Sequence, residues 1–138
     1  DHKAVIFQRP YEPAAESPDS KYPFWLNTGR VLEHWHSGSM TRRVKVLHQA
    51  VPSSYVEINP KDAYEKNIKN GEKVRLVTRR GTIDMPASIK ERGVPPQGQV
   101  FVPFFDEGFL INDLTLDAFC PISKEPDYKK CAVRLEKI

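Results

Sequence analysis

The chemistry of this chain concentrates between Thr28 and Arg43, in the run TGRVLEHWHSGSMTRR. Thr28 and Ser37 offer hydroxyls, Gly29 permits close approach to the backbone, and Arg30 can fork two oxygens of a phosphate. A loop rich in backbone N–H donors that follows a strand suits a pyrophosphate. Its glycine spacing matches neither the Walker nor the Rossmann pattern. The plain alternative is a solvated basic loop with Trp35 packed against the core. His34 and His36 flank Trp35, and alternate residues of an extended segment point the same way. Two imidazoles on one face can begin a metal site, but zinc needs three or four protein ligands, and no third stands nearby. A ligand-facing hydrogen-bonding role is therefore expected of both, and no metal site.

Other reactive groups have weaker support. No Gly-x-Ser-x-Gly elbow occurs. Cys120 precedes Pro121 with no neighbouring base in sequence. Two cysteines, Cys120 and Cys131, are too few for an iron–sulfur or Cys-rich zinc site, and both are expected as buried thiols. Asp106 and Glu107 are adjacent on a turn and are expected to be solvated, since acid–base pairs need converging geometry. The net charge of +3, from 21 basic and 18 acidic residues, is too mild to demand a nucleic acid. Its distribution is more informative. Arg30, Arg42, Arg43 and Lys45 face only Glu33 within residues 30–48, where His34, His36 and His48 also lie. Such a patch fits an anionic small molecule as well as a polymer. No stripe of exposed aromatics favours nucleic acid. No apolar run approaches the ~20 residues of a membrane span.

These groups need a scaffold, and 138 residues suffice for one domain with its own core. The 12 prolines argue against a helical bundle and for a loop-rich β or α+β domain. Asp1-His2-Lys3 carries neither an initiator Met nor a signal pattern and reads as the start of an excised piece. Residues 1–23 hold four prolines and read as an extended linker. Phe24-Trp25-Leu26 reads as a strand running into a turn at Asn27–Arg30. Val44–Leu47 reads as a strand continuation, and Tyr55–Ile58 as a better strand. Asn59 caps a helix with Pro60 at its first position, Tyr64 and Ile68 on one face, and Gly71 as its stop. Val74–Thr78 and the alternating Ile83, Met85, Ala87 and Ile89 form a hairpin, with Pro86 marking a sheet edge or bulge. Gln99–Phe105 and Cys131–Leu135 are further strands, while Asn112–Phe119 is open between short helix and loop. About six short strands with one or two short helices suggest a closed or partly closed β-barrel.

Several of these segments together resemble a known family. Asn27–His36, then Ile58–Ala63 (INPKDA), Asn70–Val74 (NGEKV) and Arg80-Gly81 are similar to the C-terminal domain of molybdenum oxidoreductases that carry bis(molybdopterin guanine dinucleotide), bis-MGD. Val102–Glu107 (VPFFDE) and Asn112–Lys129 (NDLTLDAFCPISKEPDYK) look like the catalytic subunits of periplasmic nitrate reductases. The resemblance covers about residues 22–138, with residues 1–21 as an arm. It implies a mainly β fold, the double-psi β-barrel (aspartate-decarboxylase-like), closing over the cofactor. It also implies that Thr28, Gly29, Arg30, Val31, Leu32, Glu33, His34, Trp35, His36 and Ser37 hold the dinucleotide. Asn112 and Lys129 would contact it from the other side, and Phe104 would border the approach of nitrate. No catalytic residue is implied within this piece. The [4Fe–4S] cysteines and the molybdenum-ligating cysteine of the family lie upstream. The implied partners are the remaining domains of the enzyme and a cytochrome-type electron donor, in the periplasm. Other readings are another bis-MGD enzyme, such as an assimilatory nitrate reductase or a formate dehydrogenase, a free-standing basic barrel module, or a subunit-contact domain using Trp25 or the arm.

Overall fold

A computed structural model describes residues 2–8 and 10–138; Asp1 and Arg9, within the expected linker, lie outside the described residues. Six strands make the wall: β1 (Phe24–Gly29), β2 (Val56–Ile58), β3 (Lys73–Val77), β4 (Thr82–Ser88), β5 (Gln99–Pro103) and β6 (Lys130–Lys137). They close into a barrel in the order β1-β5-β2-β4-β3-β6. The pairs β1–β5 and β2–β4 are parallel, and the other four pairings are antiparallel. Each of the two parallel pairs needs a crossover connection, in keeping with the expected double-psi barrel.

Alternation explains the wall. Along β1, Phe24, Leu26 and Thr28 are buried while Trp25, Asn27 and Gly29 are half-buried on the outside. Leu26, Ile58, Val74, Leu76, Met85, Val100, Val102 and Val133 fill the interior. A smaller outer cluster joins Tyr22, Val77 and Ala132. The arm covers it: Glu16 accepts from the Ala132 N–H at 2.8 Å and pairs with Arg80 at 2.6 Å.

Several details differ from expectation. Asn27–Gly29 continue β1 rather than turning, because Gly29 still pairs with Pro103. Val44–Leu47 is no strand. It belongs to a short helix, α1 (Lys45–Ala50), entered from a 3-10 turn at Thr41–Arg43. The second helix, α2 (Pro60–Glu65), starts as expected, with the Asn59 side chain accepting from the Lys61 N–H. It stops well before Gly71, because Asn67 takes a left-handed φ of 53°. Tyr64 is consequently exposed while Ile68 is buried, so the two do not share a face. Pro86 marks no sheet edge, since the closed barrel has none there, but the expected bulge lies beside it, where Gly71 (φ 76°) and Glu72 both bond Ala87. The Ala87 N–H bonds Glu72 on the β3 side, so the N–H that Pro86 lacks would face β2, which pairs only Ala87 and Ser88. Asn112–Phe119 resolves into a 3-10 turn, Ile111–Asp113, and irregular chain.

Leu26 is fully buried between its partners Val100 and Cys131. Leu26→Ala is expected to destabilise the chain by about 2–5 kcal/mol in urea unfolding, through lost burial and the cavity left behind. A change below about 0.5 kcal/mol would place the core elsewhere.

Candidate functional site

Strand β1 delivers the basic loop to one end of the barrel. Its end is fixed by the chain just before β6: the Thr28 N–H donates to the Lys129 carbonyl at 3.0 Å, and Thr28 Oγ1 donates to the Tyr128 carbonyl at 2.6 Å. Gly29 is required by packing, because a Cβ there would lie 2.7 Å from the Phe101 ring. Beyond it the loop folds back on itself. Val31 and His34 bridge, the Trp35 N–H donates to Thr41 Oγ1 at 3.1 Å, and the Gly38 N–H donates to the Trp35 carbonyl at 2.9 Å.

The two histidines separate. His34 turns inward, 1% exposed, and its ring stacks on Phe105 at 4.3 Å. Its nitrogens sit 3.1 Å from Thr41 Oγ1 and 2.7 Å from the Val51 carbonyl. It therefore shapes the loop from beneath and presents no ring to a ligand. His36 has φ 55° and lies at the surface. The expected alternation on one face fails because this left-handed residue breaks the extended run. Trp35 is exposed and not packed on the core.

A chain of contacts runs around the mouth. Arg30 stacks on Trp35 at 5.1 Å, Trp35 meets His36 at 6.4 Å, His36 meets Phe104 at 5.8 Å, and Lys129 Nζ lies 5.0 Å above the Phe104 ring. The structure thus brings Thr28–Ser37, Phe104 and Lys129 together. Asn112 is exposed on its own 3-10 turn, and no described contact ties its side chain to the loop. Among the described residues, Arg30 and Lys129 have no acidic group within 4 Å. The N–H groups of Arg30, Leu32, His36 and Ser37 likewise find no partner there. Two uncommitted cations, uncommitted amides and an exposed indole form a donor set suited to a phosphate-linked heterocycle.

Beside the loop lies a cavity of about 590 Å³, lined among others by Ser37, Arg42, Arg43, His48 and Phe104. Its lining includes Asp106, which was expected with Glu107 to be solvated. Glu107 is exposed, but Asp106 is buried. Asp106 accepts from Ser53 Oγ (3.0 Å), the Ser54 N–H (2.8 Å) and the Gly108 N–H (3.0 Å), and Arg42 approaches at 3.9 Å. Burial pushes its carboxyl up, but these donors and the Arg42 charge together hold it below the ordinary aspartate value. Apart from Gly108, the partners lie more than fifty residues away in sequence, so only the fold reveals the hub. Thr41, which anchors both His34 and Trp35, was equally invisible: nothing local marks a hydroxyl as a hinge pin.

The cysteines divide. Cys131 is buried in β6, and burial pushes its thiol up to about 11, which keeps it protonated and unreactive. Cys120 is exposed, contrary to expectation, because it sits in the irregular chain outside the barrel. Among the described residues no three His, Cys, Asp or Glu side chains cluster to hold a metal ion. No helix is long and apolar enough to cross a membrane.

The family model for the Molydopterin dinucleotide binding domain matches residues 24–132, from the first residue of β1 into β6. The chain belongs to that family. The donor set just described fits such a phosphate-linked group. Among solved structures the chain is similar to acetylene hydratase from Pelobacter acetylenicus, with a TM-score of 0.67 and 17% identity over 86% of this chain. At that identity the likeness shows the shared barrel fold. The chain spans 19% of that protein.

The lowered carboxyl of Asp106 makes a pH prediction for this molybdopterin dinucleotide-binding domain. A carboxylate held below its unfolded value contributes stability above pH ~4, which is lost as pH falls through the lower folded value. Asp106→Asn is expected to flatten this acid limb and to cost about 1–3 kcal/mol at pH 7 in urea unfolding. An unchanged acid limb would contradict the assignment.

Proposed function

We propose that this chain is the domain that closes over bis-MGD in a nitrate reductase of the periplasmic type, and that the reaction served is reduction of nitrate to nitrite. The observation that carries the reading is the pairing of Arg30 and Lys129, both without acidic partners among the described residues, on either side of one loop. The resemblance of Asn112–Lys129 and Val102–Glu107 to periplasmic nitrate reductases supplies the choice of nitrate.

In this reading Arg30 and the free amides of the loop take the pyrophosphate, and Trp35 and Leu32, both exposed, are covered by the cofactor or by the remaining domains. Lys129 adds charge from the β6 side, and Asn112, with donor and acceptor in one amide, reads a guanine or pterin edge. Phe104, half-buried between His36 and Lys129, borders the nitrate approach and excludes water there. The bound molybdenum group supplies the redox centre, and no residue of this chain takes part in bond making. Electrons come from a cytochrome-type donor through a [4Fe–4S] centre carried outside this piece.

A second reading, the same domain in another bis-MGD enzyme such as an assimilatory nitrate reductase or a formate dehydrogenase, draws support from the fold shared at 17% identity with a protein named acetylene hydratase. Two measurements test the proposal. The 138-residue chain with reduced viologen and nitrate is expected to yield no nitrite, and nitrite formation would show that the domain is an enzyme by itself. In the complete enzyme, Arg30→Ala is expected to lower molybdenum content severalfold, since a charge-assisted hydrogen bond is worth about 1.5–3 kcal/mol. Molybdenum content equal to wild type would remove Arg30 from the site.

A further inference from the structure

His34 and Thr41 pin one side of the loop that presents these amides, and a residue distant in sequence holds the other. Glu33 Oε1 accepts from Arg92 Nη2 at 2.5 Å. The other oxygen of Glu33, Oε2, is buried with no partner among the described residues. The carboxylate is therefore held by Arg92. Arg92 in turn lies 5.8 Å from the Tyr55 ring, within cation–π range. The following residue, Gly93, sits against Glu57: a Cβ there would come within 3.0 Å of the Glu57 carboxyl carbon. Glu57 is buried in β2, paired with Phe101 of β5 and Ser88 of β4, so it is a fixed point of the barrel wall. Burial pushes its carboxyl up, with the Arg92 charge and the Gly93 N–H pulling it back.

We propose that Arg92, seated on Tyr55 with Gly93 lodged against Glu57, is the positioning residue that sets the shape of loop 28–37. The proposal rests on that loop being the dinucleotide-binding element. Arg92 itself touches no ligand. It transmits the rigidity of β2 to the segment Leu32–His34, whose own backbone bonds are few. Without it, Glu33 retains a buried oxygen and no counter-charge, so the carboxylate must swing to water and draw the loop with it. The planar guanidinium reaches Glu33 with one nitrogen while resting on the Tyr55 ring, and a lysine replaces the charge but not that planar geometry.

The test compares wild type, Arg92→Ala and Arg92→Lys in the 138-residue chain. Hydrogen exchange of the His34 and Trp35 amides, which bond the Val31 carbonyl and Thr41 Oγ1, is expected to quicken about tenfold in Arg92→Ala, the size of one pairwise coupling, with amides of the β3–β4 hairpin unchanged. Arg92→Lys is expected to recover part of that protection. GDP, as a probe of the dinucleotide end, is expected to bind Arg92→Ala about tenfold more weakly than wild type, because a loosened loop must be ordered on binding. Loop exchange equal to wild type, or quickening spread evenly over the barrel, would overturn the positioning role. If wild type fails to bind GDP, the binding role of the loop falls, while the exchange comparison still decides whether Arg92 holds it.

Discussion

Strand β1 is hydrogen-bonded on both sides, parallel to β5 and antiparallel to β6, and the whole mouth of the barrel hangs from that double pairing. Its register with β5 puts Gly29 against Pro103, which sets Phe104 beside the start of the loop. Its bonds to Tyr128 and Lys129 bring a second cation to the same end. Residues a hundred positions apart thus converge because one strand has no free edge. The inward Leu26 and outward Trp25 could not slip by one residue without exposing the core.

Around that strand, charge is sorted by whether it has a partner. Glu16, Glu33 and Asp84 each take a hydrogen bond from a guanidinium, and Asp106 takes its bonds from Ser53, Ser54 and Gly108 with Arg42 nearby; each carboxyl is held below its ordinary value. These contacts fasten the arm, the loop, the hairpin and the cavity lining. Arg30 and Lys129, at the mouth, are among the cations with no ion-pair partner among the described residues, and each rests on an aromatic face instead. A mild overall charge is compatible with a locally strong site for this reason: what matters is which cations are uncommitted.

Much of the wall was legible because its period is short and strict. Met85 and Ala87 in β4, and Val133 and Leu135 in β6, alternate where the structure buries them. The start of α2 was legible through Asn59 and Pro60, but its end was not, since Asn67 terminates it by a left-handed turn that Asn tolerates without requiring. Helix α1 was missed because six residues are too few for a helical period to show. At the site, residue types announced an anion loop, while the inward turn of His34, the burial of Asp106 and the Glu33–Arg92 tie rest on contacts made only after closure. The last joins residues 59 apart and carries no local signal.

The central claim is that loop 28–37 and Lys129 together form the surface that receives the dinucleotide. Nitrogen-15 chemical-shift mapping of the 138-residue chain during titration with GDP tests it most directly. The account predicts shifts at Arg30, Leu32, His36, Ser37 and Lys129, with the hairpin β3–β4 undisturbed. Shifts centred on that hairpin, or a saturable complex that leaves the loop amides unmoved, would contradict it.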